Sequence, residues 1–178
     1  MRHLTNLIFV IFLLVLGFSP SFSAVKGIIE YKIPIDYAQL DENELASRAD
    51  VLYSEFSGKT SCTLNENLTS ALNLYTMLSN KNPQNITYAL RLGKLYDLIG
   101  KDRYAKGNYY RAMGISPANP EPYFYLGEFF YVRKQYRRAL KFYNQAYSKG
   151  YQNHRQTCER LRDIYKKFGD KENLAKFE

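Results

Sequence analysis

The chain has no tryptophan, only two cysteines and only two histidines among its 178 residues. So few cysteines and histidines leave little material for a zinc site or for the dense disulfides of a small secreted scaffold. His3 precedes an apolar segment, and His154 stands among polar residues at an expected helix start, where we expect it to be solvated. Histidine-based catalysis therefore has almost no candidate in this sequence.

Enzyme signatures are also absent. No G-x-S-x-G, phosphate-binding glycine loop or H-E-x-x-H occurs. The carboxylates of Asp41, Glu42 and Glu44, and those of Glu121 and Glu128, are explained by helix capping and by solvated helix faces. We therefore predict a protein that is not an enzyme, with no catalytic, cofactor-binding or metal-binding residues and no cofactor.

Long apolar runs are scarce, since the only continuous one covers the twelve residues Leu7–Phe18. One such run excludes a protein with several membrane spans. The segment has a basic residue, Arg2, then the apolar run, and then the small residues Ser21 and Ser23 before Ala24. This order is typical of a secretory signal peptide, which we predict over residues 1–23. We expect an exported protein, periplasmic or secreted. The alternative is an uncleaved N-terminal anchor, with the rest of the chain facing outward.

The composition is that of a globular protein, with 46% apolar and 24% charged residues. It excludes a disordered chain, which combines low hydrophobicity with high charge. The net charge of +8 is unevenly distributed, because residues 86–178 hold 19 Lys and Arg against 9 Asp and Glu, whereas residues 1–85 hold 6 against 8. The basic character therefore belongs to the C-terminal half.

Several residues recur at a spacing of 34, which indicates a repeat architecture. One shared spacing over many residues at matching offsets is hard to obtain by chance. The recurring sets are Ala71, Ala105 and Ala139; Tyr75, Tyr109 and Tyr143; Leu92 and Leu126; Gly93 and Gly127; Ala112 and Ala146; and Pro83 and Pro117.

The units carry a recognisable pattern. One reads Ala89-x2-Leu92-Gly93-x2-Tyr96, then Ala105-x3-Tyr109 and Pro117, and the next reads Tyr123-x2-Leu126-Gly127-x2-Phe130, then Ala139-x3-Tyr143. This pattern resembles the tetratricopeptide repeat (TPR) family. An earlier unit keeps only its second half, from Ala71 to Pro83, and the last unit is degenerate, with a small insertion expected near Tyr151–Arg155.

The resemblance implies an all-α fold, a right-handed solenoid of about four antiparallel helical hairpins over residues 41–178. In this pattern Gly93 and Gly127 let the paired helix approach closely. The large aromatic residues fill the space between hairpins, which accounts for much of the 17 tyrosines. The aromatic residues are therefore interpreted as core and not as a cofactor site.

Apolar and polar residues alternate between Ile29 and Tyr37, which is typical of an extended strand. Pro34 limits this segment to an edge or an arm. We predict an extended arm over residues 24–40, which either packs on its own solenoid or adds to a partner or a second copy.

The two cysteines, Cys62 and Cys158, fall in the first and fourth predicted hairpins. A disulfide needs Cα atoms within about 7 Å. Two intervening hairpins make that approach unfavourable, so we predict two free thiols.

The resemblance also implies a binding surface, because in this family the first helix of each hairpin lines a concave groove that holds peptides or partner helices. Members that clamp a terminal carboxylate use Lys and Asn where this chain has Leu90, Lys94 and Tyr125, so that clamp is not expected here. The predicted groove residues are Leu90, Lys94, Asp97, Phe124, Glu128 and Tyr131, with Thr87, Leu98, Glu121 and Val132 beside them.

A cluster of basic residues falls at the turn of the third hairpin. It is either a solvated basic face or a contact for anionic lipid headgroups, an acidic partner or a cell-envelope polymer. Nucleic acid is not expected as a partner because the leader directs the chain out of the cytoplasm. The predicted basic patch comprises Arg133, Lys134, Arg137, Arg138 and Lys141.

These observations predict an exported, non-catalytic adaptor that binds a peptide or protein in its groove, in cell-envelope assembly. The alternative is an accessory subunit of an envelope enzyme or secretion complex, docked through the N-terminal arm and the basic C-terminal face.

Overall fold

The computed structural model of the chain describes residue 37 and residues 39–177. The predicted signal peptide and nearly all of the predicted arm lie outside the described residues. Within the described part of the chain, no helix combines the length and apolarity needed to cross a membrane.

The described residues form eight α-helices and no strand. Short 3-10 turns cover Tyr151–Asn153 and Ala175–Phe177. The helices are α1 (Glu42–Ser54), α2 (Glu66–Lys81), α3 (Ile86–Leu98), α4 (Asp102–Ile115), α5 (Glu121–Val132), α6 (Tyr136–Ser148), α7 (Arg155–Phe168) and α8 (Lys171–Leu174).

Polar side chains mark where helices begin. The Asp41 carboxylate accepts the Glu44 N–H at 2.8 Å, which confirms the cap predicted for α1. Asn65 does the same for α2 through the Leu68 N–H at 2.8 Å. Each side chain satisfies a backbone donor that the helix itself leaves unpaired.

Adjacent helices pair as antiparallel hairpins, α1 with α2, α3 with α4 and α5 with α6, and successive hairpins stack. The predicted all-α solenoid of helical hairpins is therefore confirmed. The fourth hairpin is truncated, because α8 has only four residues. The Phe177 ring takes the place of a longer helix, stacking on Tyr165 at 5.9 Å and meeting Tyr147 edge-on at 5.4 Å.

Glycine faces tyrosine inside the two central hairpins. A Cβ atom built on Gly93 would lie 2.5 Å from Cε1 of Tyr109, and one on Gly127 would lie 2.6 Å from Cδ1 of Tyr143. Both tyrosines are almost completely buried. The predicted close approach of the paired helices is confirmed, and it depends on a missing side chain in α3 and α5.

The first hairpin keeps the small-residue position of the repeat, although the sequence pattern showed only its second half. Tyr75 lies 25 positions after its hydrogen-bond acceptor Asp50, whereas Tyr143 lies 15 positions after Glu128, so the first hairpin has ten extra residues between its helices. In this shifted alignment the fully buried Ala49 stands where Gly93 and Gly127 stand.

A 3-10 turn covers Tyr151–Asn153, in the region where a small insertion was expected before α7. It corrects the prediction for His154. The imidazole is half-buried, stacks on the Tyr151 ring at 4.3 Å and meets the Phe124 ring edge-on at 4.7 Å. Its Nδ1 accepts the Thr157 N–H at 3.3 Å, so this histidine caps α7.

Both cysteines are free thiols in this structure. The Cys62 N–H donates to the Leu98 carbonyl at 2.8 Å, which ties the long α1–α2 loop to the end of α3. Cys158 lies on α7, where its Sγ approaches the Gln152 carbonyl at 3.2 Å.

Replacing Gly93 with alanine tests the glycine–tyrosine contact. We expect Gly93→Ala to lower the free energy of unfolding by about 1–3 kcal/mol, because the new methyl group forces Tyr109 out of its packed position. The measurement is chemical denaturation followed by circular dichroism.

Gly107→Ala on α4 is the matched control, since its Cβ would meet no atom within 4 Å. It should raise the free energy of unfolding by about 0.5–1 kcal/mol through helix preference alone. Equal stabilisation by both substitutions would contradict the packing role of Gly93.

Candidate functional site

The first helices of the hairpins, α1, α3, α5 and α7, lie side by side, and we call their shared surface the groove face. The Tyr88 hydroxyl of α3 donates to Glu42 at 2.8 Å, at the start of α1. Burial and this hydrogen bond raise the pKa of Tyr88 to about 12. Further along, the Tyr131 hydroxyl of α5 donates to Asp163 of α7 at 2.6 Å.

A half-buried carboxylate joins α5 to α7. Glu128 accepts the Tyr143 hydroxyl at 2.5 Å and the Arg160 guanidinium at 2.8 and 3.1 Å, and we call these three residues the Glu128 cluster. The hydrogen bond to Glu128 raises the pKa of Arg160. Burial, followed by the charge of Glu128, raises the pKa of the Tyr143 hydroxyl far above its usual range. The carboxylate is fully occupied by its own chain.

An equivalent cluster joins α1 to α3. Asp50 accepts the Tyr75 hydroxyl at 2.5 Å, and the Arg91 Nε lies 3.9 Å from the same carboxylate. The Arg91 guanidinium carbon lies 4.0 Å from the centre of the Tyr53 ring, which is a cation–π contact. Here the arginine contacts both the ring and the carboxylate, and the carboxylate contact is longer than the one in the Glu128 cluster.

The second hairpin, α3 with α4, has different residues at the positions of this cluster. Lys94 stands 34 positions before Glu128, and Tyr125 stands 34 positions after Arg91. The Tyr125 ring stacks on the buried Tyr109 ring at 5.7 Å with an interplanar angle of 3°. Lys94 forms no salt bridge with any described residue, although its charge opposes the rise in the pKa of Asp97.

The predicted groove residues are not equally available. Leu90 is 5% exposed and Phe124 is 8% exposed, so both side chains belong mainly to the core and offer little surface to a partner. Phe124 is covered because the 3-10 turn before α7 brings Tyr151 and His154 onto its ring. This corrects the expectation that Phe124 is presented to a ligand.

Three other groove residues are engaged with neighbouring helices. Asp97 accepts the Arg133 guanidinium at 2.8 Å, and Glu128 and Tyr131 take part in the contacts between α5 and α7 described above. Burial raises the pKa of the Asp97 carboxyl, and Arg133 opposes that rise. Of the six residues, Lys94 alone keeps an unpaired polar group among the described residues.

A cleft of about 190 Å³ opens between α1, α3 and α5. Burial raises the pKa of the Glu121 carboxyl in this cleft, and the Arg91 charge opposes that rise. The Arg91 Nε is buried and reaches no hydrogen-bond acceptor within the described residues. The lining residues are Tyr53, Thr87, Leu90, Arg91, Glu121 and Tyr125.

The sequence pattern missed Tyr53 and Arg91 as groove residues and placed Tyr125 there only by comparison. The sequence does contain a signal for them, which is the 34-residue spacing. It reaches the first hairpin only if ten additional residues are allowed in the α1–α2 loop. The need for these residues is visible only once Tyr75 is seen to bond Asp50.

The predicted basic patch loses one member. The Arg133 guanidinium binds Asp102 at 2.5 and 3.0 Å and Asp97 at 2.8 Å, and lies 3.6 Å from the Phe129 ring centre. Its hydrogen bond lowers the pKa of Asp102. Arg133 therefore connects successive hairpins, which corrects its assignment to the free patch, while Lys134, Arg137, Arg138 and Lys141 are exposed.

No protein-family model matches the sequence, and no curated protein matches it. Among solved structures, a crystal structure of MamA protein is similar, with a TM-score of 0.56 and 17% identity over 76% of this chain and 70% of that chain. The described residues contain no group of three side chains that could hold a metal ion.

Two TPR domains solved with ligands are also similar. The first TPR of Spaghetti (RPAP3), bound to the HSP90 peptide SRMEEVD, has a TM-score of 0.58 and 15% identity over 73% of this chain and 97% of that chain. The TPR2B domain of yeast Sti1, in a complex with pHsp70, has a TM-score of 0.56 and 15% identity over 70% and 98%. At these identities the likeness shows that the fold is shared.

Removing Arg160 tests the Glu128 cluster. We expect Arg160→Met to lower the free energy of unfolding by about 1 kcal/mol, because Glu128 loses its charged partner. This value is small because the ion pair is partly exposed to solvent. Arg155→Met, which removes the exposed Arg155–Glu159 pair of the same helix, is the control and should leave Tm unchanged. Equal effects of the two substitutions would contradict the structural role of the cluster.

Alkaline titration tests the buried tyrosines. Burial raises the pKa values of Tyr75, Tyr109, Tyr125 and Tyr143 above the ordinary value. Their stabilising contribution is therefore present below about pH 10, where an unfolded tyrosine starts to ionise, and is lost above it. Tyrosinate absorbance and circular dichroism should show these residues ionising only as the chain unfolds. Ionisation of all 17 tyrosines in a folded chain would contradict their burial.

Proposed function

We propose that this chain, whose fold is that of TPR domains, is a non-catalytic adaptor that binds a peptide or protein segment on its groove face. The observation that carries the proposal is the cleft between α1, α3 and α5, the one place on this face where polar groups stay incompletely paired among the described residues. Arg91 and Glu121 line it, and Lys94 lies one helical turn further along α3.

The chemistry of the cleft indicates the kind of segment it fits. The Tyr53 and Tyr125 rings and Leu90 supply apolar walls, while Arg91 and Lys94 supply positive charge. Such a surface suits an extended segment with an apolar side chain followed by an acidic group. The outer positions of the groove face offer less, because their carboxylates are occupied by Tyr75 and by Arg160.

The proposed place of action is the cell envelope, with the chain exported and either released or held by its N-terminal segment. The apolar core and small-residue cleavage pattern of residues 1–23 support this proposal. A role in envelope assembly follows from the combination of export and a peptide-binding surface.

A second candidate is an accessory subunit of an envelope enzyme or secretion complex, docked through residues 24–40 and the basic patch. The exposure of four cations in that patch, Lys134, Arg137, Arg138 and Lys141, supports it. In this case the cleft would be dispensable for capture of the partner.

Blocking the cleft distinguishes the two candidates. Thr87 is exposed at its rim, and Thr87→Arg places a long side chain across the opening toward Glu121. We expect this substitution to abolish the partner enrichment seen when the full chain is used for affinity capture from the native envelope fraction. The measurement is quantitative mass spectrometry of captured proteins.

Gly107→Arg on α4 is the matched control, because it adds the same side chain away from the groove face. It should leave capture unchanged. Capture that survives Thr87→Arg but is lost when residues 24–40 are removed would contradict groove binding and favour docking through the arm.

A further inference from the structure

The turns of all four hairpins lie along one edge of the stack, which we call the turn edge. The α1–α2 loop is bonded to the end of α3 through Cys62 and Leu98. The α5–α6 turn is bonded to the α3–α4 turn through Arg133 and Asp102. At the far end, the Lys167 ammonium of α7 lies 5.6 Å from the centre of the Tyr136 ring at the start of α6.

Each of these turns carries one exposed apolar side chain. The residues are Leu64 before α2, Tyr104 at the start of α4, Val132 at the end of α5 and Phe168 at the end of α7, which are 47%, 38%, 58% and 46% exposed. They are four of the six large apolar residues that are exposed in the described part of the chain. Apolar exposure is therefore concentrated on the turn edge.

Each turn also carries an exposed lysine with no carboxylate partner among the described residues. These are Lys59, Lys101 and Lys134 in the first three turns, and Lys166 and Lys171 in the fourth.

The carboxylates of the same edge are largely engaged by their own chain. Asp97 and Asp102 bind Arg133, and Asp163 binds Lys167 at 2.8 Å. Glu66 and Glu172 are exposed there, Glu55 is exposed and accepts the Asn67 amide at 2.9 and 3.1 Å, and Asp170 caps α8 through the Asn173 N–H. The connections of the opposite edge, residues 82–85, 116–120 and 149–154, contain a single charged residue, Lys149.

Lys134 occupies a backbone conformation that favours glycine. Its φ is 57°, whereas the equivalent position of the preceding hairpin holds Gly100 with φ 68°. A side chain in this region costs about 1–2 kcal/mol. In the α5–α6 turn the chain therefore has a cation at a position where glycine would give a more stable fold.

We propose that the turn edge docks on the surface of a bilayer that contains anionic lipid. The apolar side chains enter the headgroup region, and the lysines contact lipid phosphates. One apolar residue and at least one free lysine recur for each hairpin, and packed helices are about 8–10 Å apart, so the contacts form a long row and not a pocket. Such a row fits a plane better than a peptide. The proposal does not rest on the groove.

A single tryptophan reports on this edge, because the natural chain contains none. The full chain carrying Phe168→Trp is mixed with phosphatidylcholine vesicles, with or without phosphatidylglycerol. We expect a blue shift of the emission with phosphatidylglycerol vesicles and none with neutral ones. Tyr110→Trp, exposed in the middle of α4, is the matched control and should not shift. Equal shifts at the two positions, or no shift at either, would overturn the proposal.

Lys134→Gly in the Phe168→Trp chain separates docking from folding. We expect Tm to rise because the backbone strain is relieved, while vesicle affinity falls about fivefold, the effect of losing one cation near an anionic leaflet. A further loss of about fivefold should follow when Lys101→Gln is added. Salt should weaken binding in the same way.

Three results would overturn the proposal: unchanged vesicle affinity in Lys134→Gly, equal affinity for neutral vesicles, or a larger emission shift with soluble polyglutamate, which would identify an acidic protein as the partner. Thr87→Arg should leave vesicle binding unchanged, and Lys101→Gln, which lies outside both the cleft and the basic patch, should leave partner capture unchanged. The proposal for the cleft and the proposal for the turn edge can therefore be contradicted independently of each other.

Discussion

The packing of a tyrosine ring against a glycine α-carbon sets the distance between the helices of each central hairpin. Tyr109 and Tyr143 fill the space that a side chain at Gly93 or Gly127 would occupy. Since the same contact recurs in successive hairpins, equivalent positions line up across the stack. The groove face and the turn edge are both consequences of that alignment.

The alignment explains why the middle of the groove face differs chemically from its ends. In the first and third hairpins the buried tyrosine hydroxyl reaches a carboxylate, Asp50 or Glu128, and an arginine of the following hairpin approaches that carboxylate. In the second hairpin these places hold Lys94 and the ring of Tyr125. The hydrogen-bonded carboxylate found in the first and third hairpins is therefore missing from the second.

The sequence predicted the repeat, the helices of the central hairpins and the glycine–tyrosine contacts, because strict spacing carries packing information. It could not show the first half of the first hairpin, since ten extra loop residues displaced Ala49 and Asp50 from the 34-residue spacing. The pairing of Arg133 with Asp102 was equally hidden, because a contact between different repeats leaves no periodic signal. Phe124 was misjudged because the turn that covers it is an irregular insertion.

Nuclear Overhauser spectroscopy of the folded chain tests the glycine–tyrosine alignment most directly. The glycine–tyrosine alignment predicts strong cross-peaks from the Gly93 α-protons to the Tyr109 ring and from the Gly127 α-protons to the Tyr143 ring. Ring-proton contacts from Tyr109 or Tyr143 to other α3 or α5 residues, with the glycine cross-peaks missing, would contradict the helix packing on which both surfaces depend.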